Sequence, residues 1–200
     1  MSIIGIDLSL TSPAICLHQG SEFKFENCEF FFLASSEKHL YLHKKLHGET
    51  FPEYGVQSER YNNIATWAVD IAKSRNIHQA YIEDYSYGSV GRVFAIAENG
   101  GVLKYLLWKN NITYGTIPPT VIKKFATGQG NADKEKMQVA FIEETGFDVK
   151  KVLSMTEKQW NPSSDLIDAY YICKHGFYNG EYNGKDTGRK LERKGKERSP

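Results

Sequence analysis

The sequence predicts an α/β domain, a mixed five-stranded sheet with helices on both faces. Three observations lead there. The first 33 residues hold three runs rich in strand formers joined by short links, the pattern of an antiparallel meander. Two later strand-like runs, 77–84 and 113–117, alternate with segments of helical apolar spacing. A chain of 200 residues, 40% of them hydrophobic, can bury one real core, and strands alternating with helices build a sheet covered on its faces.

The first strand, Ile3-Ile4-Gly5-Ile6-Asp7-Leu8, is apolar enough to be buried except at Asp7. An ionised carboxylate in an apolar layer is costly unless it is paired, hydrogen-bonded or bound to a cation. Asp7 therefore either caps the strand end with Ser9 and Thr11, or joins a set of charges supplied elsewhere in the chain. Residues 13–18 read as a second strand, 19–21 as a turn, and 23–33 as a long aromatic third strand. Residues 34–58 lose periodicity and gain His39, His43, Lys44, Lys45 and His47. No acidic or Cys partner shares their spacing, so this reads as an inserted basic surface loop or arm and not as a metal cluster.

Residues 59–74 predict a helix with Ile64, Trp67, Ala68 and Ile71 on one face. Residues 77–84 are the fourth strand. Residues 90–109 predict a second helix, with Gly100 and Gly101 inside it, a cost unless another backbone comes close. Residues 113–117 are the fifth strand, closed by Pro118-Pro119. Short helices follow over 120–127 and 133–145. The last helix covers 163–175, with Ser163 or Ser164 as N-cap and Gly176 at its end.

The chemistry lies in carboxylates. Glu83 ends the fourth strand; if that strand lies beside the first, about 4.8 Å away, Asp7 and Glu83 can share a cation. Asp84 points to the opposite face by strand alternation. Asp165 and Asp168 project from one face of the last helix. The helix dipole alone would explain Asp165 but not Asp168, and Glu83 taken alone is an exposed strand-end acid. Together, four carboxylates on three elements, with oxygen-only donors, suit Mg²⁺ or Mn²⁺ and not zinc. Two such ions can stabilise the attacking and leaving oxygens of phosphoryl transfer. Between the fifth strand and the 133–145 helix, Gly128-Gln129-Gly130 sits among Lys123, Lys124 and Lys134, which reads as a phosphate contact or as a plain surface turn.

Composition bounds the rest. No run is long and apolar enough to span a bilayer, and residues 1–8 enter a strand with no secretory leader pattern. Cys16, Cys28 and Cys173 form no C-x-x-C spacing, which argues against a disulfide framework or zinc and for a reducing, intracellular compartment. Net charge is +1, but residues 181–200 carry seven Lys/Arg against four acids. That segment reads as a basic, disordered tail, either contacting nucleic acid or simply solvated. Residues 1–180 read as one domain.

These motifs resemble the RuvC family of Holliday-junction resolvases, in the RNase H-like superfamily. The likeness covers roughly residues 3–33 and 60–176. Gly5-Ile6-Asp7 resembles the family's first-strand motif and Ile82-Glu83 its second. Pro119-x-x-x-Lys123 and Gly128-x-Gly130-x-x-x-Lys134 resemble its basic DNA-contacting segment, and Asp165-x-x-Asp168-Ala169 its closing helix. Leu8-Ser9-Leu10-Thr11 follows Asp7 where many bacterial members have Pro-Gly. Residues 34–58 are longer than expected, and the tail is extra. Ser86, between Tyr85 and Tyr87, falls near the family's aromatic wedge, which leaves the wedge unassigned. Such departures resemble a phage-type or divergent member.

The resemblance implies an RNase H-like fold with the fourth strand beside the first. It implies a Mg²⁺-dependent (or Mn²⁺-dependent) endodeoxyribonuclease holding two ions per site on Asp7, Glu83, Asp165 and Asp168. Such an enzyme would resolve four-way junctions in recombination and repair by paired symmetric nicks, leaving 5′-phosphate and 3′-hydroxyl ends. DNA contacts would come from Lys123, Lys124, Lys134, Tyr85 and Tyr87, and forks and flaps are further candidate substrates. The compartment would be the cytoplasm of a bacterium or a phage-infected host. Paired nicks on a near-two-fold substrate call for a homodimer. Its candidate interface is the 90–109 helix, which carries apolar residues on more than one face unless the monomer itself buries them. Two rival readings are an actin-like kinase or ATPase, disfavoured because 200 residues leave no room for two lobes, and a non-catalytic DNA-binding module, which the four intact acids do not favour.

Overall fold

The computed structural model describes residues 2–34, 44–84 and 93–180. Its strands are β1 (Ser2–Asp7), β2 (Ala14–Gln19), β3 (Cys28–Ala34), β4 (Leu46–Thr50), β5 (Gln79–Glu83) and β6 (Thr113–Ile117). They form one sheet in the order β4-β3-β2-β1-β5-β6. The β1–β2–β3 meander is antiparallel, as its short links require, while β4 runs parallel to β3, β5 to β1 and β6 to β5. All strands but β2 therefore point the same way and end on a common edge. Helices α1 (Gln57–Ser74) and α2 (Val93–Lys109) cover one face. On the other lie α3 (Pro119–Thr127), α4 (Lys134–Thr145), α5 (Val149–Val152) and α6 (Ser163–Asn179).

The sheet has six strands, not five, because residues 34–58 are not simply a loop. Within them Leu46–Thr50 pairs with β3 from Phe30↔Leu46 to Ala34↔Thr50. Of that strand only Leu46 is buried, and His47-Gly48-Glu49-Thr50 carries little strand propensity. Tertiary contacts hold it instead. The Lys45 ammonium donates to the carbonyls of Phe25, Glu26 and Cys28 at 2.7–3.3 Å. His47 stacks on Phe31 and lies 3.5 Å from Glu29, which Arg75 also grips at 2.8 Å. Those same carbonyl contacts accompany a second departure. The chain is not extended over 23–27: Phe25–Asn27 is a 3₁₀ turn, and β3 starts only at Cys28.

The fit of α6 to the sheet explains two glycines. A Cβ on Gly5 would lie 2.3 Å from the Cys173 backbone nitrogen, and one on Gly176 would lie 2.2 Å from the Tyr81 ring. Gly176 thus does not end the helix; it lets α6 press onto β5, and the helix runs on to Asn179. Neither Ser163 nor Ser164 caps it: the N-cap is Pro162, with no side-chain hydrogen bond. In α2 the expected close approach is absent at Gly101, where a Cβ would meet nothing within 4 Å. Residues 35–43, 85–92 and 181–200, and with them His39, His43, Tyr85, Ser86, Tyr87 and the basic tail, lie outside the described residues. Among those described, no helix is long and apolar enough to cross a membrane.

Candidate active site

Strand alternation decides where the first two carboxylates go. Ile4, Ile6 and Leu8 pack toward α1 and α2, and so do Ala80 and Ile82. Ile3 and Tyr81 belong to the opposite core. With Ile6 in register with Ile82, Asp7 and Glu83 follow on neighbouring strands and face α6. The opening turns of α6 bring Asp165 and Asp168 to the same place. All four side chains line one cleft of about 320 Å³ at the common strand edge. Asp84 lines it too, contrary to the alternation argument, because β5 ends at Glu83 and the period of two lapses there.

Burial raises every member of the set, and repulsion between neighbouring acids adds to it for Asp7, Glu83 and Asp168. Burial pushes Asp7 well above the usual carboxylate range, and the charges of Asp165, Glu83 and Asp168 add to it. Asp168 is pushed up to about 8, first by burial and then by Glu83 and Asp165. Glu83 rises to about 7 by burial, with Lys123 pulling it back. Asp165 rises to about 6 by burial, moderated by the Ser12 hydroxyl and by Lys134.

The donor set fits a hard divalent cation in its chemistry: the cleft lining holds carboxylates and hydroxyls but neither His nor Cys. Neutralising the crowded charge is what such an ion would do. The geometry is looser, since among the described residues no group of three or more His, Cys, Asp or Glu side chains is drawn together tightly enough to hold a metal. Closing the set around an ion therefore requires side-chain movement.

A polar chain surrounds Asp165. The Ser12 hydroxyl donates to Asp165 Oδ2. Asn161 Nδ2 donates to Ser12 Oγ at 2.8 Å, and Lys134 Nζ donates to Ser164 Oγ at 3.2 Å and to Asn161 Oδ1 at 3.5 Å. Sequence reasoning found Lys134 but missed Ser12, Asn161 and Ser164. The signal was a Ser five residues past Asp7 and an Asn-Pro-Ser-Ser run leading into the acidic helix. Lys104, from α2, also lines the cleft. Lys123 and Lys134 share a small adjoining hollow with Asp168 and Ser164, so both stand at the carboxylates. Lys124 does not: it lines a separate groove with Phe125 and His175.

No protein-family model and no curated protein sequence matches the chain. Solved structures do. Thermus thermophilus RuvC is 18% identical, with 89% of this chain and 95% of that one covered, at a TM-score of 0.57. The T. thermophilus RuvC complex with a Holliday junction substrate gives 17%, 90%, 95% and 0.59. This chain has the RuvC-type fold. The yeast mitochondrial Holliday junction resolvase Ydc2 matches at 14% identity, covering 85% of this chain and 75% of that one, with a TM-score of 0.47. The RuvC-type fold accounts for the placement of the fourth predicted strand, now β5, beside β1. At such identities the likeness extends to the fold, and the chemistry rests on the residues above.

Proposed function

We propose that the protein is a Mg²⁺-dependent (or Mn²⁺-dependent), structure-selective DNA endonuclease that resolves four-way junctions by paired nicks leaving 5′-phosphate and 3′-hydroxyl ends. One observation carries this reading: four carboxylates from β1, β5 and α6, with Asp7 and Asp165 buried and Glu83 and Asp168 partly exposed, line one cleft, and Lys123 and Lys134 stand beside them. Asp7, Glu83, Asp165 and Asp168 would hold two ions. Bound there, the ions would supply positive charge to the attacking and leaving oxygens of phosphoryl transfer. The protein's own groups do the rest. Lys123 and Lys134 hold the DNA phosphate against the acids. Ser12, itself held by Asn161, fixes the orientation of Asp165. Lys124 contacts the backbone farther out.

A homodimer completes the reading, because a junction of near-two-fold symmetry needs two nicks and one domain offers one site. The face of α2 that bears Phe94, Tyr105 and Trp108 supports it. These aromatics are 81%, 55% and 70% exposed, and Gly101 between them leaves open space for a second chain. Free, buried Cys16, Cys28 and Cys173 accord with a reducing intracellular compartment. The deciding experiment is cleavage of a mobile four-way junction with Mg²⁺, beside a matched duplex, fork and flap. The expected result is symmetric nicking of the junction, lost in Asp7→Asn. Absence of any cut by the wild type, or a cut undiminished in Asp7→Asn, overturns the proposal.

A further inference from the structure

We infer that Phe51, Tyr54 and Arg60, beside Thr11, form a seat for an unpaired nucleobase of the DNA strand whose phosphate lies at the carboxylates. The inference rests on the nuclease reading above. It starts from the strand that sequence reasoning did not foresee. Because β4 runs parallel to β1 and β5, residues 51–54 leave the sheet at the edge that carries Asp7 and Glu83. The Phe51 amide still donates to the Ala34 carbonyl at 2.9 Å, and its ring packs on the core beneath α1. Arg60, in the first turn of α1, donates to the Leu10 carbonyl on the loop after Asp7. Leu10 and Thr11 line the carboxylate cleft, and Thr11 also lines a second hollow of about 460 Å³ with Phe51, Tyr54 and Arg60. The two hollows therefore share a wall.

The chemistry of the second hollow suits a base rather than a phosphate. Phe51 and Tyr54 meet edge to face at 6.2 Å, and the Arg60 guanidinium lies 5.4 Å and 5.0 Å from their ring centres. The guanidinium is thus flanked by aromatic rings and tied through one terminal nitrogen to a carbonyl. Glu53 stands on the rim, where it repels a phosphate but accepts from the ring or exocyclic N–H of a base. Tyr54 is 40% exposed, so part of its ring is open for stacking. The hollow falls within the size range of small-ligand pockets, about 300–1,000 Å³. Base–aromatic stacking tolerates any base, whereas taking a base out of a duplex costs a few kcal/mol, least where it is already unpaired. A seat next to the scissile phosphate favours strands that present an unpaired base there, as a branch point does, over intact duplex.

The test measures binding without Mg²⁺ to four-way junctions carrying a single abasic nucleotide, moved stepwise past the scissile phosphate. The proteins are wild type, Tyr54→Ala and Tyr54→Phe. One abasic position is expected to weaken wild-type binding about tenfold, within the range of single-base stacking. Tyr54→Ala is expected to bind the intact junction about tenfold more weakly and to lose nothing further at that position, while Tyr54→Phe follows the wild type. Losses that simply add, or Tyr54→Ala binding the intact junction like the wild type, overturn the seat. Mg²⁺-dependent cleavage of the intact junction by the wild type separates the two ideas. Cleavage without position-specific coupling removes the seat alone; coupling without cleavage removes the nuclease and leaves the seat. A wild type that binds no branched DNA removes both.

Discussion

Removing one charge from the carboxylate set should make the metal-free protein more stable above neutrality while abolishing its response to Mg²⁺. The sign follows from the raised values. Asp168 and Glu83 sit at about 8 and about 7 in the fold, against ordinary values of 3.8 and 4.5. Between pH 5 and 7 the unfolded chain has released these protons and the folded chain has not. A group raised in this way contributes stability below its unfolded value and loses it as pH climbs through its folded value. One net proton retained over two pH units amounts to about 3 kcal/mol. For a chain of this size that is roughly 6–12 °C in Tm, at about 2–4 °C per kcal/mol. Burial lowers His18 and His175, which gives a slope of opposite sign near and below pH 6.5. The informative quantity is therefore the difference between wild type and Asp168→Asn. Thermal unfolding in chelator from pH 5 to 8 should show the variant gaining on the wild type by about that amount. Added Mg²⁺ should raise the wild-type Tm at pH 8 and leave the variant's almost unmoved, since a cation stabilises the charged form that the variant lacks. Parallel Tm–pH curves for the two proteins, or an equal Mg²⁺ response, would refute the charge-crowding argument.

Gly5→Ala should cost about 1–3 kcal/mol or more, read as a fall in Tm, and should also lower cleavage. The new methyl would meet the Cys173 backbone and push α6, with Asp165 and Asp168, off the sheet. Lys123→Ala and Lys134→Ala should each lower the log–log salt slope of DNA binding by about 0.9 and slow cleavage of bound junction. Lys124→Ala, on the other groove, should change the slope but not the cleavage of bound DNA; equal loss of cleavage in all three would remove that distinction. Ser12→Ala should weaken Mg²⁺ binding by releasing Asp165, measured calorimetrically, with little change in DNA affinity; unchanged Mg²⁺ affinity would reduce Ser12 to a structural contact. Trp108→Asp should shift the protein toward monomer in sedimentation with Mg²⁺-dependent single nicking retained; an unchanged sedimentation coefficient would move the interface off α2.

What was legible in the sequence is what one residue and its near neighbours decide. Asp7 in an apolar strand, Glu83 at a strand end and Asp165–Asp168 one helical turn apart could be paired because strand alternation and helical spacing are local rules. Burial patterns then set their faces: Ile4 and Ile6 on one side oblige Asp7 to the other. The features that escaped are those whose reason lies far away in the chain. Leu46–Thr50 is a strand because Lys45 reaches three carbonyls about twenty residues upstream and β3 offers an open edge, not because His47-Gly48-Glu49-Thr50 favours one. Gly176 looked like a helix end, yet it answers the Tyr81 ring from β5. Ser12 and Asn161 carry no local mark of function, since what matters is that each meets the other across 149 positions. That asymmetry has a physical consequence for the site. The charged groups are supplied by elements whose placement the core enforces, whereas the orientation of Asp165 depends on a short polar chain of Ser12 and Asn161 at the same edge. Core substitutions should therefore move the acids apart, and substitutions in the polar chain should leave them in place but misaim Asp165.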